Sequence, residues 1–329
     1  MRWNGVIVSV AVAAGFYLTL FAGSGFGETV AAAGRLGPGW WLMILGLSLV
    51  NYVLRYLRWD AYLRLAGHRL PALRHLIVYV AGFALTTTPA KAGEAVRAIY
   101  LKPLGVGIRR TVATLYAERV VDVISIALLA MLLYRLPGGG YRWLAAVAGG
   151  GVLALLLLRH RFFLRAAAGL AFRFPGRRLR RFALHAVGCL RQAGPLLRGR
   201  WLTFGVLIGL ASWGAEALAF HLVLQELGIP VGLAGAVGIY ATAILAGALS
   251  FVPGGLGGTE AVMAALLLFT GAAPPEAMAA TAIIRVATLW FAVALGVVAL
   301  PALELAGRRA TKSAPDGAVP ALGGGRSKP

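Results

Sequence analysis

Lys91, Glu94 and Arg97 stand beside Pro89 and Gly93 in a run, Thr86 to Arg97, that interrupts sequence apolar enough to enter a bilayer. Ionisable groups at membrane depth are costly and mark ligand or ion pathways. Backbone broken by Pro and Gly is tolerated there only inside protein or against a water-filled cavity. A second interruption, Ser250 to Glu260, contains Pro253, Gly254, Gly255, Gly257 and Gly258, and its proline follows Pro89 by 164 residues. Two further apolar segments carry Glu118, Arg119 and Asp122, and Arg285. Guanidinium groups grip phosphate oxygens two at a time, so Lys91, Arg97, Arg119 and Arg285 read as a cationic lining for a phosphate-bearing headgroup. Amides at Gly254, Gly255, Gly257 and Gly258, at the opening of a half-helix, would add an anion site.

Simpler roles compete for the same residues. Glu94 with Arg97 and Arg119 with Asp122 are three apart, and Glu118 with Asp122 four apart, so each set shares a helix face and can neutralise itself. Glu260 opens a helix, where a carboxylate complements the dipole, and the glycine run is also a plain turn. Glu94 and Glu260 are in addition candidates for proton coupling. The candidate substrate-binding residues are therefore Lys91, Glu94, Arg97, Glu118, Arg119, Asp122, Gly254, Gly255, Gly258, Glu260 and Arg285. His68, His75, His160, His185 and His221 fall singly, without metal-ligand spacing. Neither a P-loop nor a dinucleotide fingerprint is present. The expectation is no metal, no cofactor and no catalytic constellation.

These residues need a membrane scaffold. Of 329 residues 60% are hydrophobic and 13% charged, and the mean hydropathy is +0.80. That describes a polytopic membrane protein. The net charge of +21 would suggest nucleic acid in a soluble protein, but the arginines collect between apolar spans, as in cytoplasmic loops. Nucleic acid is therefore excluded as a partner. One cysteine, Cys189, excludes an internal disulfide framework. The run after Arg2 lacks a cleavage region and reads as a span.

Crossings are expected at 6–21, 40–57, 111–134, 143–158, 201–224 and 277–303, with hairpins breaking at Pro89 and Pro253. Arg55, Arg58, Arg64, Arg69 and Arg74 read as cytoplasmic loop charges, and residues 159–200 hold 11 arginines and no acidic residue. That loop reads as a topology determinant and as amphipathic helices on anionic headgroups. The fold class is an all-α polytopic membrane protein with six full crossings plus two re-entrant helical hairpins. Residues 1–307 form a single domain in this reading, with repeats over about 1–136 and 141–307 and a disordered tail from 308 to 329. The halves read as inverted copies, matching Gly46 with Gly209, Gly67 with Gly228, Pro89 with Pro253, Glu94 with Glu260 and Arg119 with Arg285, at separations of 161 to 166. Inverted repeats with broken helices point to alternating access around a midplane site. Both termini are placed in the cytoplasm.

The set Pro89, Gly93, Glu94, Arg97, then Glu118, Arg119, Asp122, then Pro253 to Glu260, then Arg285 resembles the transmembrane, flippase-like domain of bacterial lysylphosphatidylglycerol synthases over nearly all of residues 1–307. The resemblance implies a stand-alone member, translocating lipid without aminoacylating it, in the bacterial inner membrane. The leading function is movement of an anionic or polyprenyl-phosphate-linked lipid between leaflets, with anionic-headgroup lipids as partners. A membrane enzyme acting on a lipid phosphate and a non-catalytic partner of a cytoplasmic lipid-biosynthesis enzyme are the alternatives. The geometric expectation is that Lys91, Glu94 and Arg97 lie near Glu260 and Arg119.

Overall fold

The computed structural model describes residues 36–86, 96–135, 188–250 and 252–312, with the isolated positions 27, 31, 34 and 176. Among them the regular structure is helical and no strand occurs. In chain order, α1 spans Pro38–Leu65, α2 Ala72–Ala81 with a tighter turn Gly82–Leu85, α3 Arg97–Leu101 and α4 Ile108–Ala130. Then come α5 Gly199–Glu226, α6 Leu233–Leu249, α7 Gly258–Phe269, α8 Pro274–Arg285 and α9 Phe291–Lys312. A π turn, Val286–Trp290, joins α8 to α9 without a break. The helices Pro38–Leu65, Gly199–Glu226 and Pro274–Leu303 are long and apolar enough to cross a membrane, while Ala72–Leu85, Leu233–Leu249 and Gly258–Phe269 are apolar but shorter. The expected crossings 6–21 and 143–158, most of the basic segment and the tail from 313 lie outside the described residues.

The same order of elements occurs twice, and matching helix ends mark the two passes. α1 stops at Gly67 (φ +87°) and α5 at Gly228 (φ +71°). In each, two backbone bonds close the end: Gly67 N–H to Arg64 O and His68 N–H to Leu63 O, and Gly228 N–H to Gln225 O and Ile229 N–H to Leu224 O. A residue with positive φ at this position lets the last carbonyls find donors, and glycine takes it without steric cost. Gly105 and Gly271 repeat the device after the tight turn that ends α3 and after α7. α4 and α8 then follow directly.

Lipid gives helices no hydrophobic reason to associate, so close backbone approach does much of the packing. α1 lies along α5, α6 packs against α4, α5 and α7, and α9 packs on α2. A Cβ added at Gly238 of α6 would collide with the backbone of Leu132 and Leu133, and one at Gly296 of α9 with the backbone of Phe83 and Ala84. Gly238→Val is therefore expected to prise α6 from the end of α4 and cost about 1–3 kcal/mol, read as a lower unfolding temperature of the purified protein in detergent.

Two expectations change here. Arg55 and Arg58 are not loop charges: α1 continues past both, and they are 5% and 0% exposed. A positive charge close to the end of an apolar stretch satisfies the loop rule equally well from inside the helix, where a partner on another helix neutralises it. The boundary set at 308 falls within α9, which continues to Lys312, as the Ala, Leu, Glu and Arg of this segment favour helix.

Candidate functional site

Two helices build the first wall. On α1, Ser48, Asn51, Arg55, Arg58 and Tyr62 recur at spacings of three and four, share one face, and are all buried. On α4, Glu118 and Asp122 face them. Arg58 donates to Asp122 Oδ1 at 2.5 Å and lies 3.5 Å from Glu118. Arg55 stands 3.4 Å from Asp122 and 3.8 Å from Glu118. Arg119 is 3.6 Å from each carboxylate, and Arg97 is 3.5 Å from Glu118. Neutral donors complete the set, Tyr79 Oη to Glu118 at 3.2 Å and Trp213 Nε1 to Asp122 at 3.2 Å. Buried charges persist only when paired and hydrogen-bonded in this way. Among the described residues the cluster sets four arginines against two carboxylates, a balance suited to an anion.

The second wall is the broken turn between α6 and α7. Gly254, Gly255 and Gly257 all have positive φ, a path open to glycine at little cost. Arg285 of α8 secures this turn, its Nε donating to Glu260 Oε1 at 2.7 Å and its Nη2 to the Gly254 carbonyl at 2.8 Å.

Between the walls lies a cavity of about 340 Å³. Arg55, Arg119 and Asp122 line it from one side, and Glu216, Gly254, Gly255, Thr259 and Arg285 from the other. Tyr52, Phe83, Trp213 and Tyr240 add aromatic surface. Tyr240 Oη donates to Glu216 Oε2 at 2.6 Å and Tyr52 Oη to the Thr288 carbonyl at 2.5 Å, which fixes both rings. The volume sits at the small end of the range for ligand sites, about 300–1,000 Å³. A space of this size suits a small molecule or one compact part of a larger one.

Of the candidate residues, Arg119, Asp122, Gly254, Gly255 and Arg285 line this cavity. Arg97 and Glu118 are fully buried behind it. The Arg97 guanidinium lies over the ring of Tyr79 at 4.1 Å and that of Trp59 at 5.3 Å. Glu260 is buried at the back of Arg285. Gly258 packs toward Ser250, and the Gly255 N–H is taken by the Val252 carbonyl, which removes that one amide from the anion site expected of the four glycines. Lys91 and Glu94 lie outside the described residues. Arg97 and Arg119 do meet, through the same Glu118 oxygen.

Sequence reasoning missed Arg55, Arg58, Trp213, Glu216 and Tyr240 as site residues. The polar stripe on α1 carried the signal for the first two. Asn51 Nδ2 also donates to the Ser212 carbonyl at 2.9 Å, tying that stripe to the stretch of α5 that bears Trp213 and Glu216.

Residues 6–296 match the family described as the lysylphosphatidylglycerol synthase TM region. The chain belongs to that family. Proteins similar to the chain include a UPF0104 membrane protein of Methanothermobacter thermautotrophicus, 26% identical over 324 residues, which covers 90% of this chain and 94% of the relative. A UPF0104 membrane protein of Pyrococcus horikoshii is 24% identical over 306 residues, covering 85% of this chain and 91% of its own. As a member of the lysylphosphatidylglycerol synthase TM-region family with several apolar helices, the chain is a multi-pass membrane protein.

Proposed function

We propose that the protein is a lipid translocator of the cytoplasmic membrane, of the bacterial inner-membrane kind, which carries the phosphate-bearing headgroup of an anionic or polyprenyl-phosphate-linked lipid between leaflets. The observation that supports this reading is the cavity: a headgroup-sized space among spanning helices, faced by Arg55, Arg119 and Arg285 from both halves of the chain. In this reading the chain makes six crossings and two re-entrant hairpins, its halves are inverted in the membrane, and both termini are cytoplasmic. The short apolar helices support the hairpins, since about 20 residues are needed to span and Ala72–Leu85 and Gly258–Phe269 fall short of that. The doubled order of elements supports the repeat, and broken helices meeting at a repeat interface are how transporters place a site at the midplane. Acyl chains stay in the bilayer while the headgroup occupies the cavity. No bond is made or broken.

The test is leaflet exchange by purified protein in liposomes, with labelled phosphatidylglycerol, a labelled polyprenyl phosphate and a labelled neutral diacyl lipid, run beside phosphate release. Exchange of one phosphate-bearing lipid above the protein-free rate is expected, with the neutral lipid unmoved. Arg119→Gln is expected to slow it roughly tenfold, the worth of one charge-assisted hydrogen bond. Exchange that ignores this substitution, or phosphate release without exchange, overturns the reading.

A further inference from the structure

His75 is a buried histidine of α2 that does not line the cavity, and both of its ring nitrogens are engaged. Trp59 Nε1 donates to His75 Nε2 at 2.8 Å, and Asp60 Oδ1 lies 3.1 Å from Nδ1. An indole N–H can only donate, so Nε2 carries the lone pair and Nδ1 the proton that Asp60 accepts. The geometry thus selects one neutral tautomer. Trp59 in turn forms part of the aromatic floor beneath the Arg97 guanidinium, 5.3 Å from its ring. Arg97 reaches Glu118, which also holds Arg119 on the cavity wall. A continuous relay therefore runs from Asp60, whose side chain is 14% exposed, through His75, Trp59, Arg97 and Glu118 to a cavity arginine.

We infer that His75 is a positioning residue for the cavity arginines, and that taking up a proton at Nε2 releases Trp59 and loosens the seat of Arg97 on Glu118. Once Nε2 bears a proton it faces the indole N–H donor to donor, and one of the two must turn away. Asp60 stays to accept from Nδ1, which makes the change reversible. The groups that face the imidazole are few. α1 contributes Asp60, with Arg64 2.6 Å beyond it, and Tyr56, whose ring is 5.3 Å away. α3 contributes Arg97, and α2 itself Tyr79, whose ring packs on Tyr56 and Trp59. α9 presents no titratable residue over Phe291–Leu303. An imidazole gains its charge on acidification, and the Trp59 N–H aimed at Nε2 holds the neutral form until then, so the relay makes the seating of the arginines acid-sensitive. For its effect on exchange the inference rests on the translocation reading; the relay itself is measurable without it.

The experiment uses the full chain in detergent and in liposomes. Tryptophan fluorescence is titrated from about pH 8 to about pH 5, across the histidine range, for the unmodified protein, Trp59→Phe and His75→Gln. Gln offers an acceptor to Trp59 and a donor to Asp60 but takes no proton there. A fluorescence transition is expected in the unmodified protein and absent from both variants. Exchange of phosphate-bearing lipid is expected to fall roughly threefold or more on acidification, about the worth of one ordinary hydrogen bond, and to lose this pH dependence in His75→Gln with the rate at neutral pH preserved. A transition that survives in His75→Gln overturns the inference. So does a His75→Gln variant slowed by the same factor at every pH, the mark of a purely structural residue. A transition confined to protein with His75 and Trp59, with no lipid exchanged at any pH, supports the relay and overturns the translocation reading instead.

Discussion

Asp122→Ala is expected to destabilise the purified protein by about 3–5 kcal/mol, the cost of removing one member of a buried ion pair. Asp122 is 3% exposed and receives Arg58 at 2.5 Å, Arg55 at 3.4 Å, Arg119 at 3.6 Å and the Trp213 indole at 3.2 Å. The damage comes from what stays behind. Arg58 is fully buried and unable to shed its proton, and the substitution takes away its shortest charge contact. Glu118 remains 3.5 Å from Arg58, so the fold is weakened and not abolished. Thermal unfolding in detergent, followed by size exclusion, reads the loss. Combining Arg58→Met with Asp122→Leu is expected to recover much of it, because apolar residues of similar volume replace a buried pair with little loss or even a gain. A single Asp122→Ala variant as stable as the parent would show that the cluster contributes nothing to the bundle.

The largest effect on transport is expected at Arg285. Arg285→Ala removes the donors to Glu260 Oε1 and the Gly254 carbonyl together with a cavity cation. Two charge-assisted bonds of about 1.5–3 kcal/mol each are enough to slow headgroup exchange by roughly a hundredfold. Arg285→Lys separates the two roles. A lysine keeps the charge but reaches one acceptor well where the planar fork reaches two, so exchange should recover only in part. Full recovery would mean that the positive charge alone matters and that the link to the Gly254 turn does not.

How much of this was legible beforehand depended on whether a residue's meaning is local. The break at Ser250 to Glu260 could be read from Pro253 and the glycines, since backbone rules act over a few residues. Gly67 and Gly228 stood out in the sequence only as matching positions; their role as helix stops did not, and the crossings expected to end at 57 and 224 run on to Leu65 and Glu226. Glu118, Arg119 and Asp122 announced themselves by standing in apolar sequence. Arg55 and Arg58 did not, because an arginine near a span's end has two lawful homes, water or a carboxylate on another helix. Only the alignment with Ser48 and Asn51 on one face distinguishes them. Tyr240 and Trp213 were invisible as site residues because their polar atoms matter only through Glu216 and Asp122, 24 and 91 residues away in sequence. Gly255 shows the opposite limit: its place in the run suggested an open donor, but the turn spends that N–H on its own Val252 carbonyl.

The π turn at Val286–Trp290 has a geometrical consequence for the last helix. Each residue of an α-helix advances the azimuth by about 100°, and a π turn, with its longer hydrogen-bonded loop, shifts the phase of everything after it by roughly one such step. Upstream, the azimuth is set by Arg285 facing the cavity; downstream, it is set by Gly296 pressed against the backbone of Ala84. An uninterrupted α-helix would have a single phase and would bring one of these two faces out of alignment. The turn acts as a vernier, letting one rod be indexed independently to its cavity-facing end and to its packing seam.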